Sequence, residues 1–361
     1  MSLDGAVFGA PVTVQISAPT LMLERARWQS TGVLRLRYAE VHLAGAVLEY
    51  PLSLAAGQAP FLRFWGDAQL REDVLGDRGK RVRVMTLSGV DAAHLTLTDV
   101  DLSECRFTGA VHLDQLRLEG RTTFSRPPTG WHRRGPAPLR WSRRHTLVEE
   151  HHWRAAARGQ QPANGGWEAS PYHPDRAHIP GPETVAVAYR QLRKSLEDSK
   201  NEPGAADFYY GEMEMRRHDR TGTTRAERGL LHGYWLLSGY GLRASRAVGW
   251  LVAAMLITIL LLMGFGVPKD SPKQEATGTV PPGGGKVTFK IDKSDPQNPT
   301  GDRLTGERFE KALNVTLNSV VFRSSGQDLT TTGTYIEMAS RVSEPVLLGL
   351  AVLAIRNRVK R

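Results

Sequence analysis

The chain has 361 residues, 40% of them hydrophobic, and a formal net charge of +10. That length suits two or three domains, and the basic surplus suits anionic lipid or nucleic acid. One cysteine, Cys105, excludes an intramolecular disulfide and a four-cysteine zinc site, and Met1–Thr20 lacks the basic start and apolar run of a cleavable signal.

The first informative stretch, Leu21–Leu54, alternates apolar and polar residues, with Val41/Leu43 and Ala46/Leu48 set five apart. Arg81–Phe124 is more regular. One phase of five takes Leu87, Ala92, Leu97, Leu102 and Phe107; the phase two earlier takes Met85, Val90, Leu95, Val100 and Cys105. After Phe107 the phase slips by one and resumes as Val111, Leu113, Leu116 and Leu118. A flat strand alternates at period two and a helix needs 3.6. A pattern that resets every fifth residue turns a corner each time, which puts Leu97, Leu102, Phe107 and Cys105 in the interior. The units "DVDLS" (Asp99–Ser103) and "ECRFT" (Glu104–Thr108) resemble the pentapeptide-repeat family. That resemblance implies a four-sided right-handed β-solenoid over residues 1–124, stabilised by stacking of coils. Cys105 is then a small packing residue rather than a reactive thiol.

Residues 125–181 are rich in Pro, Gly, Arg and Trp and read as an irregular linker or loosely packed cap. Within it "RHTLVEEHHWR" gathers His145, Glu149, Glu150, His151 and His152. The spacing is not His-Glu-x-x-His. Glu149 and His152 at i,i+3 are the pair a weak metal site would use, but the segment reads as solvated, with no metal assigned. Arginines interleaved with Trp131, Trp141 and Trp153 suit base stacking or an anionic leaflet; a membrane tether favours the leaflet, and no nucleic acid is expected.

Residues 182–246 read as cytoplasmic and juxtamembrane helices. Pro182 opens a helix with Val185, Tyr189, Leu192 and Leu196 on one face; Lys200–Asp207 is a turn; Ala206–Arg220 is a second helix, in which Glu212 can pair with Arg216. Tyr234, Trp235 and Tyr240 suit an interfacial aromatic belt. Ala247–Pro268 is free of charge and long enough for a first transmembrane helix. Residues 269–305 are a polar, flexible extracytoplasmic loop. Residues 306–332 read as a short re-entrant helix and turn. Residues 333–361 form a second transmembrane helix and basic tail, with Glu337, Arg341 and Glu344 on one face as an internal ion-pair ladder. Arg243 and Arg246 before the first span, and Arg356, Arg358, Lys360 and Arg361 after the second, place both termini in the cytoplasm.

This order of helix, loop, short helix, turn and helix resembles the two-helix pore module of potassium channels. "SSGQDLTTTG" (Ser324–Gly333) is similar to that family's filter-following segment at Gly326, Asp328, Leu329 and Thr330. The filter itself is absent: Arg323, Ser324, Ser325, Gly326 and Gln327 stand where its glycines and tyrosine would be, and Arg323 would repel cations. As a whole, the blocks "ADFYYGEMEMRR", "LSGYGLRASRAVGWL" and "FRSSGQDLTTTGTY" resemble actinobacterial membrane-anchored pentapeptide-repeat proteins. The resemblance implies this architecture and a bacterial cell-membrane location, and no reaction; the chain reads as a scaffold or sensor whose cytoplasmic solenoid presents a surface to a protein partner. Membrane lipids are further partners and a homo-oligomer is compatible. No catalytic motif and no cofactor are read. A regulated ion channel is the alternative, and a membrane-associated enzyme the third reading.

Overall fold

The structure, a computed structural model, describes residues 1–61, 72, 75, 81–129, 131–134, 137–158, 167–172, 179–268, 274–278, 289–293, 296–297, 301, 303–321, 323 and 326–359. Strands β1 (Val7–Phe8), β2 (Val12–Ser17) and β3 (Thr20–Met22) form three sides of a first coil, and β4 (Arg27–Trp28), β5 (Gly32–Arg37) and β6 (Glu40–His42) repeat them. Each pairs in parallel with its counterpart twenty positions on: Phe8 with Trp28, Val14 with Leu34, Leu21 with Val41. Twenty residues is four sides of five, the repeat that the sequence carries. β7 (Val47–Leu48), β8 (Leu52–Ala56), β9 (Arg83–Thr86), β10 (Leu95–Thr98) and β11 (Arg117–Glu119) extend the ladders into a parallel β-solenoid. Leu52 pairs with Leu95, so an insertion after Ala56 lengthens that one coil.

The coils stack like residue on like. Val14, Leu34, Leu54, Leu97 and Leu118 form one continuous column. Burying each such side chain contributes roughly 1.5–3 kcal/mol, and no coil can do so without its neighbours. One corner requires a left-handed residue in every coil, with φ between 56° and 87° at Gly5, Arg25, Gly45, Gly89 and Gly109. Only glycine adopts this without a Cβ clash, and four of the five are glycine. Gly32 is required for another reason: a Cβ there would stand 2.5 Å from the Trp28 ring, which stacks on Phe8 at 4.0 Å.

Leu97, Leu102, Cys105 and Phe107 all lie in this core. Two details of the five-residue frame need correction. Met85 is buried but outside the core, because β9 bulges between Val84 and Thr86; Val82 and Val84 face inward instead. Val111 is 51% exposed, and Ala110 packs on the core in its place. An additional left-handed residue, His112 at φ 53°, displaces the phase there.

Residues 125–181 are not simply an irregular linker. A hairpin of β12 (Trp131–Arg134) and β13 (Ala137–Arg140) leads to helix α1 (Val148–Arg158). Helices α2 (Pro182–Asp198) and α3 (Glu202–His218) form the expected hairpin, with Val185, Tyr189, Leu192 and Leu196 buried. α3 starts earlier than the periodicity indicates, since the Asn201 side chain caps Gly204 N–H and Pro203 suits the first turn. Glu212 does not pair with Arg216. It faces α2, where Arg190 and Arg193 bind it at 2.9 and 3.0 Å, while Arg216 binds Glu227 at 2.5 Å.

Helix α4 (Arg225–Ser238) contains the division between two compact units, Met1–Leu231 and His232–Arg361. The second unit holds α5 (Ala244–Leu261) with a π-helical turn at Leu262–Gly266, then an antiparallel hairpin of β14 (Gln274–Gly278) and β15 (Phe289–Lys293). α6 (Gly306–Val320) and α7 (Thr331–Val359) complete it. The hairpin replaces part of the expected flexible loop. Two stretches, Ala244–Gly266 and Thr331–Arg356, are long and apolar enough to cross a membrane, at 23 and 26 residues.

Candidate functional site

The polar residues most tightly organised in the first unit are those the sequence reading leaves in water. Glu149, at 3% exposed, sends one carboxylate oxygen to the N–H groups of Phe107 and Thr108 at 2.5 and 2.9 Å and to the Thr108 hydroxyl at 3.1 Å. It thereby ties α1 to a solenoid corner. Burial pushes the Glu149 carboxyl up against these hydrogen bonds, and burial together with Glu149 pushes the Cys105 thiol well up. A thiol held in that state is a packing residue.

Next to it, Glu150 is fully buried and bound by Arg144 at 2.5 Å, Arg154 at 2.7 Å and the Tyr189 hydroxyl at 2.5 Å. Arg154 also binds Glu214 at 3.0 Å, and Glu214 binds Arg217 at 2.6 Å. Arg154 lies over the rings of Trp141, Trp153 and Trp167 at 5.2, 5.7 and 4.8 Å. Burial alone would raise both carboxyls, but the arginines outweigh it and hold Glu150 and Glu214 at about 2. Burial holds the His151 and His218 rings at about 4, against the pull of the same carboxylates. A buried ionic network of this kind fixes one arrangement of α1, α2 and α3, because removing either partner strands a charge.

Glu149 and His152 do not converge: Glu149 turns to the solenoid, and His152 Nε2 accepts the Ser170 N–H at 3.0 Å. His145 lies beside Asp207 at 3.5 Å. Among the described residues no group of three or more His, Cys, Asp and Glu could hold a metal ion. The solvated reading of this segment is therefore wrong. Its charges are paired across 4, 6 and 60 residues of sequence, and only the shortest of those spacings is visible as a helix pattern.

In the second unit the π-turn frees backbone carbonyls at the end of α5. Arg308, near the start of α6, collects them: its guanidinium donates to Met263 O at 2.8 Å, Val267 O at 2.6 Å and Pro268 O at 3.3 Å. Thr330 caps α7 and bonds the same region, its hydroxyl to Phe265 O at 2.7 Å and its N–H to Gly266 O at 3.0 Å. Gly333 meets Gly266 backbone to backbone; a Cβ on Gly333 would stand 2.5 Å from Gly266 O.

Of the pore-loop-like residues, Thr330 is thus buried in a joint between helices, whereas Arg323, Gly326 and Asp328 are exposed and Gln327 is half-buried. Gly326 takes φ +64°. Ser324, Ser325 and Phe322, like Lys360 and Arg361, lie outside the described residues. The charges read as intramembrane, Glu337, Arg341 and Glu344, form a shorter ladder than expected. Arg341 binds Glu337 at 2.6 Å, but Glu344 turns away to accept the Thr258 hydroxyl of α5 at 2.9 Å.

What α5 and α7 leave uncovered is mostly apolar. Only 22% and 28% of their most apolar stretches are buried. Val252, Leu256, Ile257 and Leu260 on α5, and Val342, Val346, Val352 and Leu353 on α7, point outward. Comparison of the chain with protein-family models, curated proteins and solved structures found no match.

Proposed function

We propose that the chain is a membrane-anchored, non-enzymatic scaffold or sensor of pentapeptide-repeat type, whose solenoid presents a cytoplasmic surface to a protein partner. α5 and α7 cross the bilayer, α6 enters it as a re-entrant helix, and both termini are cytoplasmic. The observation that carries this reading is the outward-facing apolar surface of α5 and α7. Soluble monomers do not keep such large continuous apolar faces in water, and lipid removes the cost. The twenty-residue coil, four sides of five, supports the pentapeptide type. Arg243 and Arg246 before α5, and Arg356 and Arg358 late in α7, support the orientation.

A second reading, an ion pore regulated by the solenoid, draws on one observation: short α6 and the Gly326–Thr330 turn stand between the two long helices. Arg323, exposed in that connection, opposes cation passage. Purified protein in planar bilayers should pass no potassium-selective current and should run in detergent below the mass of a tetramer. A tetrameric mass with potassium-selective openings that vanish in Asp328→Ala would replace the scaffold with the pore.

A further inference from the structure

α4 carries an apolar stripe along one side, while Trp235 and the exposed Leu236 fall outside it. Ala226, Leu230, Gly233, Tyr234 and Leu237 fall at i, i+4, i+7, i+8 and i+11, one face of a helix. Leu230 on that face is 76% exposed. Arg225, Arg228 and His232 take the opposite side. The helix opens with Thr224 Oγ1 accepting the Glu227 N–H at 3.2 Å.

Its far end is closed in an unusual way. The last carbonyls of a helix ordinarily go to water. Here Trp235 O accepts from the Gly239 N–H at 3.0 Å and from the Arg246 guanidinium at 2.8 Å. Leu236 O accepts the Trp250 indole N–H at 3.1 Å, Tyr234 O the Ser238 hydroxyl at 3.1 Å, and Ser238 O the Arg243 N–H at 3.0 Å. Arg246 also lies over the Trp235 ring at 5.2 Å. Gly239, Tyr240 and Gly241 take φ of 55°, 59° and 71° in succession, which makes a fixed corner, and α5 begins at Ala244. Backbone groups satisfied by α5 itself rather than by water suit a corner placed where water is scarce. From Arg220 to Arg246 the sequence carries arginines at 220, 225, 228, 243 and 246 and one acidic residue, Glu227, which binds Arg216.

We propose that α4 is an interfacial helix that lies on a lipid surface of anionic headgroups, its Leu230–Tyr234–Leu237 stripe in the acyl boundary and its Arg225–Arg228–His232 side in water. The occupant follows from continuity with the apolar face of α5 and from the arginine excess, which anionic headgroups complement. This rests on the membrane reading of α5 given above.

The test uses the full chain with single cysteines introduced by Leu230→Cys, His232→Cys or Leu256→Cys and carrying a nitroxide; Cys105 is buried and does not compete. Collision rates with oxygen, which enters lipid, and with a nickel chelate, which stays in water, are measured in phosphatidylglycerol-containing vesicles and in pure phosphatidylcholine. The expected result is that the position 230 label favours oxygen several-fold over nickel in the anionic vesicles and loses that preference in phosphatidylcholine. The 232 label should favour nickel in both. If the 256 label favours oxygen while 230 behaves like 232, the interfacial helix is overturned and the span survives. Shielding of 230 from both reagents would mean that protein covers the stripe, which also overturns the proposal. Equal oxygen preference at 230 in both vesicle types would overturn the requirement for anionic headgroups. A nickel-accessible 256 label would instead remove the membrane reading, and this proposal with it.

Discussion

Leu34, Leu54 and Leu97 of the solenoid are 0% exposed, whereas Leu256, Ile257 and Leu260 of α5 are 54%, 56% and 60% exposed. Charge is arranged in the opposite sense. The solenoid sends its polar residues outward along each strand, while the second unit keeps Arg308, Glu337 and Glu344 inside and apolar residues outside. The same hydrophobic effect gives both patterns if the first unit is solvated by water and the second by lipid. The cap of the first unit breaks this simple rule. Glu150 and Arg154 are as buried as any leucine, and they are tolerated because each is paired.

Substitutions can break this contrast. Leu97→Asp or Phe107→Asp buries an unpaired charge in the solenoid and should cost upwards of about 4 kcal/mol, read as loss of protease resistance. Val111→Asp, in the same sequence pattern but facing water opposite Asp91, should cost only about 0.5 kcal/mol and leave most of the resistance. Glu150→Gln strands Arg144 and leaves Arg154 with Glu214 alone, and should cost about 3–5 kcal/mol in urea unfolding of the first unit's signal. In α5, Leu256→Asp changes an exposed residue. In water that would cost within about 0.5 kcal/mol, but in a bilayer about 3 kcal/mol, seen as a loss of membrane insertion. Gly333→Ala would drive a methyl into the Gly266 backbone and should cost about 1–3 kcal/mol, read as a lower melting temperature in detergent.

The smallest effects concern the water-facing side of β10. Thr98 stands opposite Glu119 and Thr96 opposite Arg117. Thr98→Asp should therefore destabilise, and Thr96→Asp stabilise, by about 0.5 kcal/mol each.

Acid separates the cap from the rest. His151 and His218, held at about 4, are neutral in the folded state and charge more readily when unfolded. Their contribution is present above the ordinary histidine value near 6.5 and is lost as pH falls towards 4. Glu150 and Glu214, held at about 2, favour the folded state above the ordinary carboxyl value and lose that contribution as pH falls from about 4.5 towards 2. The urea midpoint of the first unit should thus fall in two steps, and Glu150→Gln should reduce the lower one.

The solenoid was legible because its constraint is local: every fifth residue must face in, so Leu97, Leu102 and Phe107 declare themselves in one dimension. Val111 was misread because an additional left-handed residue, His112, shifts the phase between Ala110 and Leu113. The two long apolar helices were legible from length and composition alone. The cap was not, since Arg144, Glu150, Arg154 and Glu214 look like solvated charges until the fold brings them together. Glu212 was placed on the right helix but given the wrong partner, because periodicity shows a face and not what packs on it. Among the pore-loop-like residues, Thr330 proved to be a joint and Arg323 a surface group, a distinction that spacing does not carry.

The central claim is that two helices cross a bilayer and return the chain to the side it started from. A reporter that fluoresces only in the cytoplasm, fused after Arg361 of the full chain, tests it in alkali-washed membranes. The account predicts bright, membrane-retained fluorescence. Fluorescence released into the soluble fraction, or a membrane-retained fusion that stays dark, would contradict it.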